Sequence, residues 1–227
     1  MIAALARPIV ARLCRGSRTR LVVGAWCAIG VAFAAGARAR ALAHGADQVL
    51  VGGYGELVLP LLCYSLVGAA LQTRSLPRSI APLVALGAVP ARAAAISVVI
   101  GFGACALLGS LLAASLTLLA HGSADPPLSR DVLASAYAGA LGGAAYGSWF
   151  ALGASWGTAG LGRTLFLVLD WLLDALGGGA AVVTPRSHVR NLLGGLPPMD
   201  WPEHRSALAL LGLTIGCTLI AVYRARR

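Results

Sequence analysis

Lysine is absent from this chain: all 18 of its basic side chains are arginines. A phosphate loop needs a lysine behind its glycines, so the chain carries no GxxxxGK[ST] nucleotide site of its own. Acidic residues are also few, eight in 227, and charged residues of either sign make up only 11%. A soluble domain of this size carries about a quarter. The five cysteines (Cys14, Cys27, Cys63, Cys105, Cys217) show no CxxC or paired spacing. Four lie in apolar runs, where cysteine acts as a small hydrophobe, so neither a disulfide framework nor a metal site is inferred. None of the four histidines (His44, His121, His188, His204) falls inside a long apolar run.

Apolar residues are what is abundant, at 58%. A net charge of +10 would suit nucleic acid if it formed a solvated basic face. Here the arginines stand almost wholly between apolar runs, as topology signals and headgroup contacts do. Residues 1–20 read as a basic amphipathic helix on the membrane surface, with Ile2, Leu5, Ile9, Val10 and Leu13 at helical spacing. The rival is a signal peptide with an h-region at 21–37 and cleavage near Ala41-Leu42-Ala43. The length of the leader and of the apolar run favours a retained span. Six candidate spans follow, at 21–37, 49–71, 93–120, 132–157, 161–183 and 206–223. With the N-terminus inside, twelve arginines fall on the cytosolic side and six on the other, which predicts both termini cytosolic. The chain reads as one domain: surface helix 1–20, spans one and two in 21–71, a cytosolic loop 72–92, spans three to five in 93–183, an outer loop 184–205, and a last span with basic tail 206–227. Four prolines and Trp201 in the outer loop suit an interfacial or partly re-entrant cap.

Loop 72–92 carries Arg74, Arg78 and Arg92, no acid, and three prolines, with a short weakly amphipathic piece between them. Such a loop can present a small basic surface to a cytosolic partner. Two stripes of small residues at a four-residue period, Ser97/Gly101/Cys105/Gly109 and Ser135/Gly139/Gly143/Gly147, predict close helix packing. Three acids fall inside spans: Glu56, Asp170 and Asp174. Charge at membrane depth is costly, so each is a buried partner for arginine or backbone, or a relay or substrate contact. Asp170 and Asp174 share a helix face, and Arg163 lies seven residues before Asp170 on that face. Glu56 sits among Gly52, Gly53 and Gly55 with Pro60 following, which predicts a kink. The run 139–153 (GALGGAAYGSWFALG) resembles the nucleophile helix of rhomboid proteases, but Leu141 stands where that family has its serine. With no imidazole base in any span, intramembrane proteolysis is rejected and no catalytic residue is assigned.

This layout resembles the membrane subunits of type-2 ABC transporters, the exporter permeases. The resemblance covers nearly the whole chain and rests on architecture: a surface helix, six spans with both ends inside, an outer element between the last two, and SIAPLVALGAVPAR at 79–92. The last is similar to the family's "leL…tPvsR" stretch ahead of the third span; the acid often found before it is missing here. Haem-exporter membrane subunits share the size and span count. The resemblance implies an all-α membrane protein of the bacterial inner (cytoplasmic) membrane. It also implies a translocation pathway formed by two permease copies, and a short cytosolic coupling helix within 79–92. A separate ATPase subunit, holding the ATP and magnesium that this chain does not, would dock there on Arg78, Ser79, Leu83, Leu86, Val89 and Arg92. A proton-coupled secondary transporter using Asp170 and Asp174, and a non-transporting membrane assembly protein, are the competing readings.

Overall fold

The computed structural model describes residues 2–72, 74–157 and 160–226, and is helical with no strand among them. Helix α1 (Ile2–Arg15) gives way at Gly16 to α2 (Ser17–Ala39). Next comes α3 (Gly45–Ala70), whose middle, Val49–Val58, is a π-helix. The short α4 (Leu76–Ala85) leads into α5 (Pro90–Ala120), the longest helix at 31 residues, and then α6 (Leu128–Gly153). After α7 (Leu161–Leu176) the chain turns through α8 (Gly178–Ala181) and α9 (Pro185–Leu192), then a 3₁₀ turn at Pro198–Asp200, into α10 (Glu203–Arg224).

Four helices among the described residues are long and apolar enough to cross a membrane: the Thr19–Ala39 part of α2, then α3, α5 and α10. The other two expected spans differ for identifiable reasons. Helix α6 is 26 residues long, but glycine, serine, tyrosine and tryptophan dilute its hydropathy. It is also the hub of the bundle, packed against α3, α5, α7, α9 and α10, so protein rather than lipid surrounds much of it. Helix α7 has only 16 residues, about 24 Å at 1.5 Å per residue, short of a hydrocarbon core of about 30 Å. It stops at Gly177, whose φ of 68° belongs to the left-handed region.

Both stripes of small residues meet at the α5–α6 contact. A Cβ built on Gly109 would stand 2.6 Å from the Gly139 carbonyl oxygen, and one on Gly139 2.6 Å from that of Gly109. Gly143 meets the Cys105 carbonyl at 2.4 Å and Gly147 the Phe102 Cα at 2.6 Å in the same way. Only glycine permits backbones this close. Gly101 is the exception, with nothing within 4 Å of a built Cβ. The buried Tyr54 hydroxyl donates to the Gly109 carbonyl at 2.7 Å, tying α3 to the same crossing. Around Glu56 the helical perturbation takes the form of π-helical widening that ends at Leu59-Pro60, where proline lacks the amide a regular ladder would use.

The connections sort into two ends. At one, the Leu76 amide donates to the Ala154 carbonyl at 2.8 Å, and the Arg224 guanidinium lies 4.4 Å from the ring centre of Trp156. At the other, the Ala124 amide donates to the Ala43 carbonyl at 3.0 Å, and one cavity is shared by Asp47, Pro126, Leu193 and Glu203. The segments around Leu76 and Ala154 therefore lie opposite loops 40–44, 121–127 and 184–202.

Candidate functional site

Two arginines four residues apart on α9 converge on Asp174, one of two acids four residues apart on α7. Asp174, its side chain 9% exposed, receives both guanidinium nitrogens of Arg190, Nη1 to Oδ2 and Nη2 to Oδ1, each at 3.0 Å. This is the bidentate fork that suits arginine to a carboxylate. The Nε of Arg186 approaches the same carboxylate at 3.7 Å. Asp170 is fully buried; it accepts from the Tyr146 hydroxyl at 3.0 Å and from the Arg186 backbone amide at 3.3 Å. Arg186 Nη2 also donates to the Glu56 carbonyl, and its guanidinium stands 5.3 Å from the ring centre of Trp171. Desolvated charge is tolerated here because Asp174 is ion-paired and Asp170 is hydrogen-bonded on both oxygens.

Helix α9 is held from its far side as well. His188 Nε2 lies 2.8 Å from the Val182 carbonyl, so that nitrogen carries the proton and Nδ1 accepts from the Ser206 hydroxyl at 3.1 Å. Burial pushes His188 below the ordinary imidazole range, against the Val182 carbonyl, which favours the charged ring. Asn191 Nδ2 donates to the Ser206 hydroxyl and to the Trp201 carbonyl, both at 2.8 Å. With Pro185, Ser187, His188, Val189 and Asn191 all buried, α9 is a short helix set into the bundle.

The expected Arg163–Asp170 contact does not form. Helix α7 begins only at Leu161, and Arg163 turns toward α3. There it lies over the Tyr64 ring at 5.2 Å and points Nη1 at the Tyr64 carbonyl at 3.5 Å. It occupies space left by Gly68, where a Cβ would meet it at 2.2 Å. The arginines that do gather at the acids, both on Asp174, were legible in principle. Arg186 and Arg190 repeat the i,i+4 spacing of Asp170 and Asp174 sixteen residues later. Glu56 is half-buried, and among the described residues no cation lies within 4 Å of its carboxylate.

At the opposite end, the short helix occupies Leu76–Ala85, earlier than the 79–92 expectation. Pro77 starts it, Gly87 at φ 89° turns the chain, and Pro90 opens α5, so Val89 becomes that helix's N-cap and Arg92 enters its first turn. The six expected docking residues divide by face. Ser79 and Leu83 are buried against the bundle, whereas Arg78, Leu86, Val89 and Arg92 are exposed, Leu86 at 86%.

No family model, curated protein or solved structure matches this chain.

Proposed function

We propose that this chain is the membrane-spanning subunit of an ATP-driven ABC exporter, seated in the bacterial inner membrane with both termini in the cytosol. In this reading α6 and α7 join the four apolar helices as spans, and α7 is completed by the segment running to Val183. Helix α1 lies at the cytosolic surface. A separate ATPase subunit binds the nucleotide and docks on α4.

The observation that carries the reading is the α4 region. A 10-residue helix is anchored through Leu76, Ser79, Ile80 and Leu83, and it holds out a basic and apolar knob of Arg78, Leu86, Val89 and Arg92. Leu86 at 86% exposure, beside the exposed Val89, suits an apolar cleft in a partner. The rigid α4–α5 turn would pass a push on that knob into α5 and, through the glycine crossing, into α6. Helix α2 is the least covered of the four apolar helices, which supports a second permease copy alongside it.

A proton relay through Asp170 and Asp174 fits less well, because both carboxylates are already engaged by α9 and Tyr146. The deciding experiment is affinity purification from mild detergent of the wild type and of a chain with 78–92 scrambled. Recovery of an ATPase subunit with the first and its loss from the second supports the reading. No ATPase with either ends it.

A further inference from the structure

At the end opposite α4, two loops far apart in sequence bring three aspartates and two histidines together. His121, Asp125 and Asp131 place one ligand atom each within 4.8 Å of one another, and His44, Asp47 and Asp125 form a second such group on the outer flank. Two of the carboxylates are out of water: the Asp125 side chain is 0% exposed and that of Asp131 8%. Yet Asp125 Oδ1, Asp131 Oδ2 and His121 Nδ1 are buried atoms without a hydrogen-bond partner. The Asp125 Oδ2 atom is by contrast well used, accepting the amides of Gly122 at 2.7 Å and Ala46 at 3.0 Å. That grip fixes the carboxylate and leaves its Oδ1, 3.8 Å from His44 Nδ1, free to ligate.

The scaffold is also held rigidly. A Cβ on Gly45 would stand 2.2 Å from the Ala120 carbonyl oxygen, and one on Gly122 2.3 Å from that of Ala43, so the loops interlock backbone to backbone. His121 Nδ1 and Asp131 Oδ2 are 3.6 Å apart. Donors about 2.0–2.1 Å from a tetrahedral ion stand roughly 3.3 Å from each other, so the pair is already near ligand spacing. Beside the group lies a cavity of about 330 Å³ lined by Asp47, Arg130, Asp131 and Glu203, wide enough to admit a hydrated ion.

We propose that His121, Asp125 and Asp131 bind one divalent cation of the zinc class, with water completing its shell, and that the ion clips loop 121–127 to the start of α6. Imidazole nitrogen with two carboxylates favours zinc over magnesium or calcium, which prefer all-oxygen shells. The clip stands independently of the transport reading, since it would serve any function of the bundle.

The test uses the full chain in nanodiscs, stripped with chelator and titrated with Zn²⁺ against a competing dye. The expected result is one ion per chain, bound more tightly than roughly 10 μM. Affinity falls about 100-fold or more in the variant His121→Ala/Asp131→Asn, whereas Glu203→Gln, in the same cavity but outside the ligand set, leaves it unchanged. Co²⁺ substitution in the unaltered chain decides the matter without any variant. A tetrahedral nitrogen–oxygen spectrum supports the site, and an octahedral, water-like spectrum overturns it. Absence of stoichiometric Zn²⁺, or undiminished binding in the double variant, likewise overturns it.

Discussion

Replacing Gly139 with alanine adds one methyl group where the structure has no room for it. The new Cβ would lie 2.6 Å from the Gly109 carbonyl oxygen and 2.9 Å from the Ala113 Cβ. Ordinary contact begins near 3.4 Å, so α5 and α6 must separate by about 0.8 Å at the crossing. A gap of that size forfeits roughly a quarter to a half of each dispersion contact along the interface. Overpacking a tight core costs about 1–3 kcal/mol, which outweighs the gain of up to about 1 kcal/mol from exchanging glycine for alanine in a helix. The net expectation is a loss of about 1–2 kcal/mol, or a melting temperature roughly 2–8 °C lower in detergent. Gly101→Ala on α5 is the control: nothing stands within 4 Å of its Cβ, so it should be neutral or slightly stabilising. Gly109→Ala should resemble Gly139→Ala, and the double variant should cost less than the sum, because one separation relieves both clashes. Equal melting temperatures for Gly139→Ala and Gly101→Ala would refute the packing argument.

The salt bridge between α7 and α9 gives a second test. Asp174→Asn strands Arg190 in a setting where breaking such a pair costs roughly 3 kcal/mol, and adding Arg190→Gln should recover part of the loss in a double-mutant cycle of unfolding. His188 has a folded pKa below its unfolded value, so its contribution is fully present above the unfolded pKa of about 6.5 and is lost as pH falls below it. The stability difference between wild type and His188→Gln should therefore shrink on acidification from pH 7.5 to 5.5, and a difference independent of pH would contradict the neutral-imidazole assignment. Arg78→Glu/Arg92→Glu alters only exposed side chains, so the melting temperature should stay within about 0.5 kcal/mol equivalent while ATPase recovery is lost. Retained recovery would place the docking surface elsewhere.

The parts of this fold that depend on one helix were legible in the sequence. Charge-free length marked α5, and a four-residue period of small side chains marked the faces that α5 and α6 turn to each other. Parts that depend on two distant segments were not. Arg163 looked like the partner of Asp170 because it is close in sequence, but Gly68 on α3 opens a space that draws it away. The true partners come from a loop rich in proline, which reads as a surface cap until its arginines are matched to the acids. Histidines 44 and 121 each looked isolated, since only the interlocking of two loops brings them to the same aspartate. The boundaries of α4 turn on Gly87 adopting a positive φ, a backbone choice no side-chain period announces.

In the proposed six-span arrangement, the coupling of α7 to α9 constrains how the chain enters a bilayer during synthesis. On an insertion scale, Asp170 near the middle of α7 costs roughly 2.5–3.5 kcal/mol and Asp174 near its end adds to that, while the helix's nine leucine, phenylalanine and valine residues return at most about 3–5 kcal/mol. Alone, this helix gains nothing by leaving the translocation channel. Its counter-charges, Arg186 and Arg190, are made only after the helix is complete. In that arrangement the segment from Leu161 to Leu192 would be held at the channel until its second half arrives and released into lipid as one unit, with both acids answered by arginines from that half. A nascent chain stopped at 183 should leave α7 open to protease or to a glycosylation tag, and one extended past 192 should protect it.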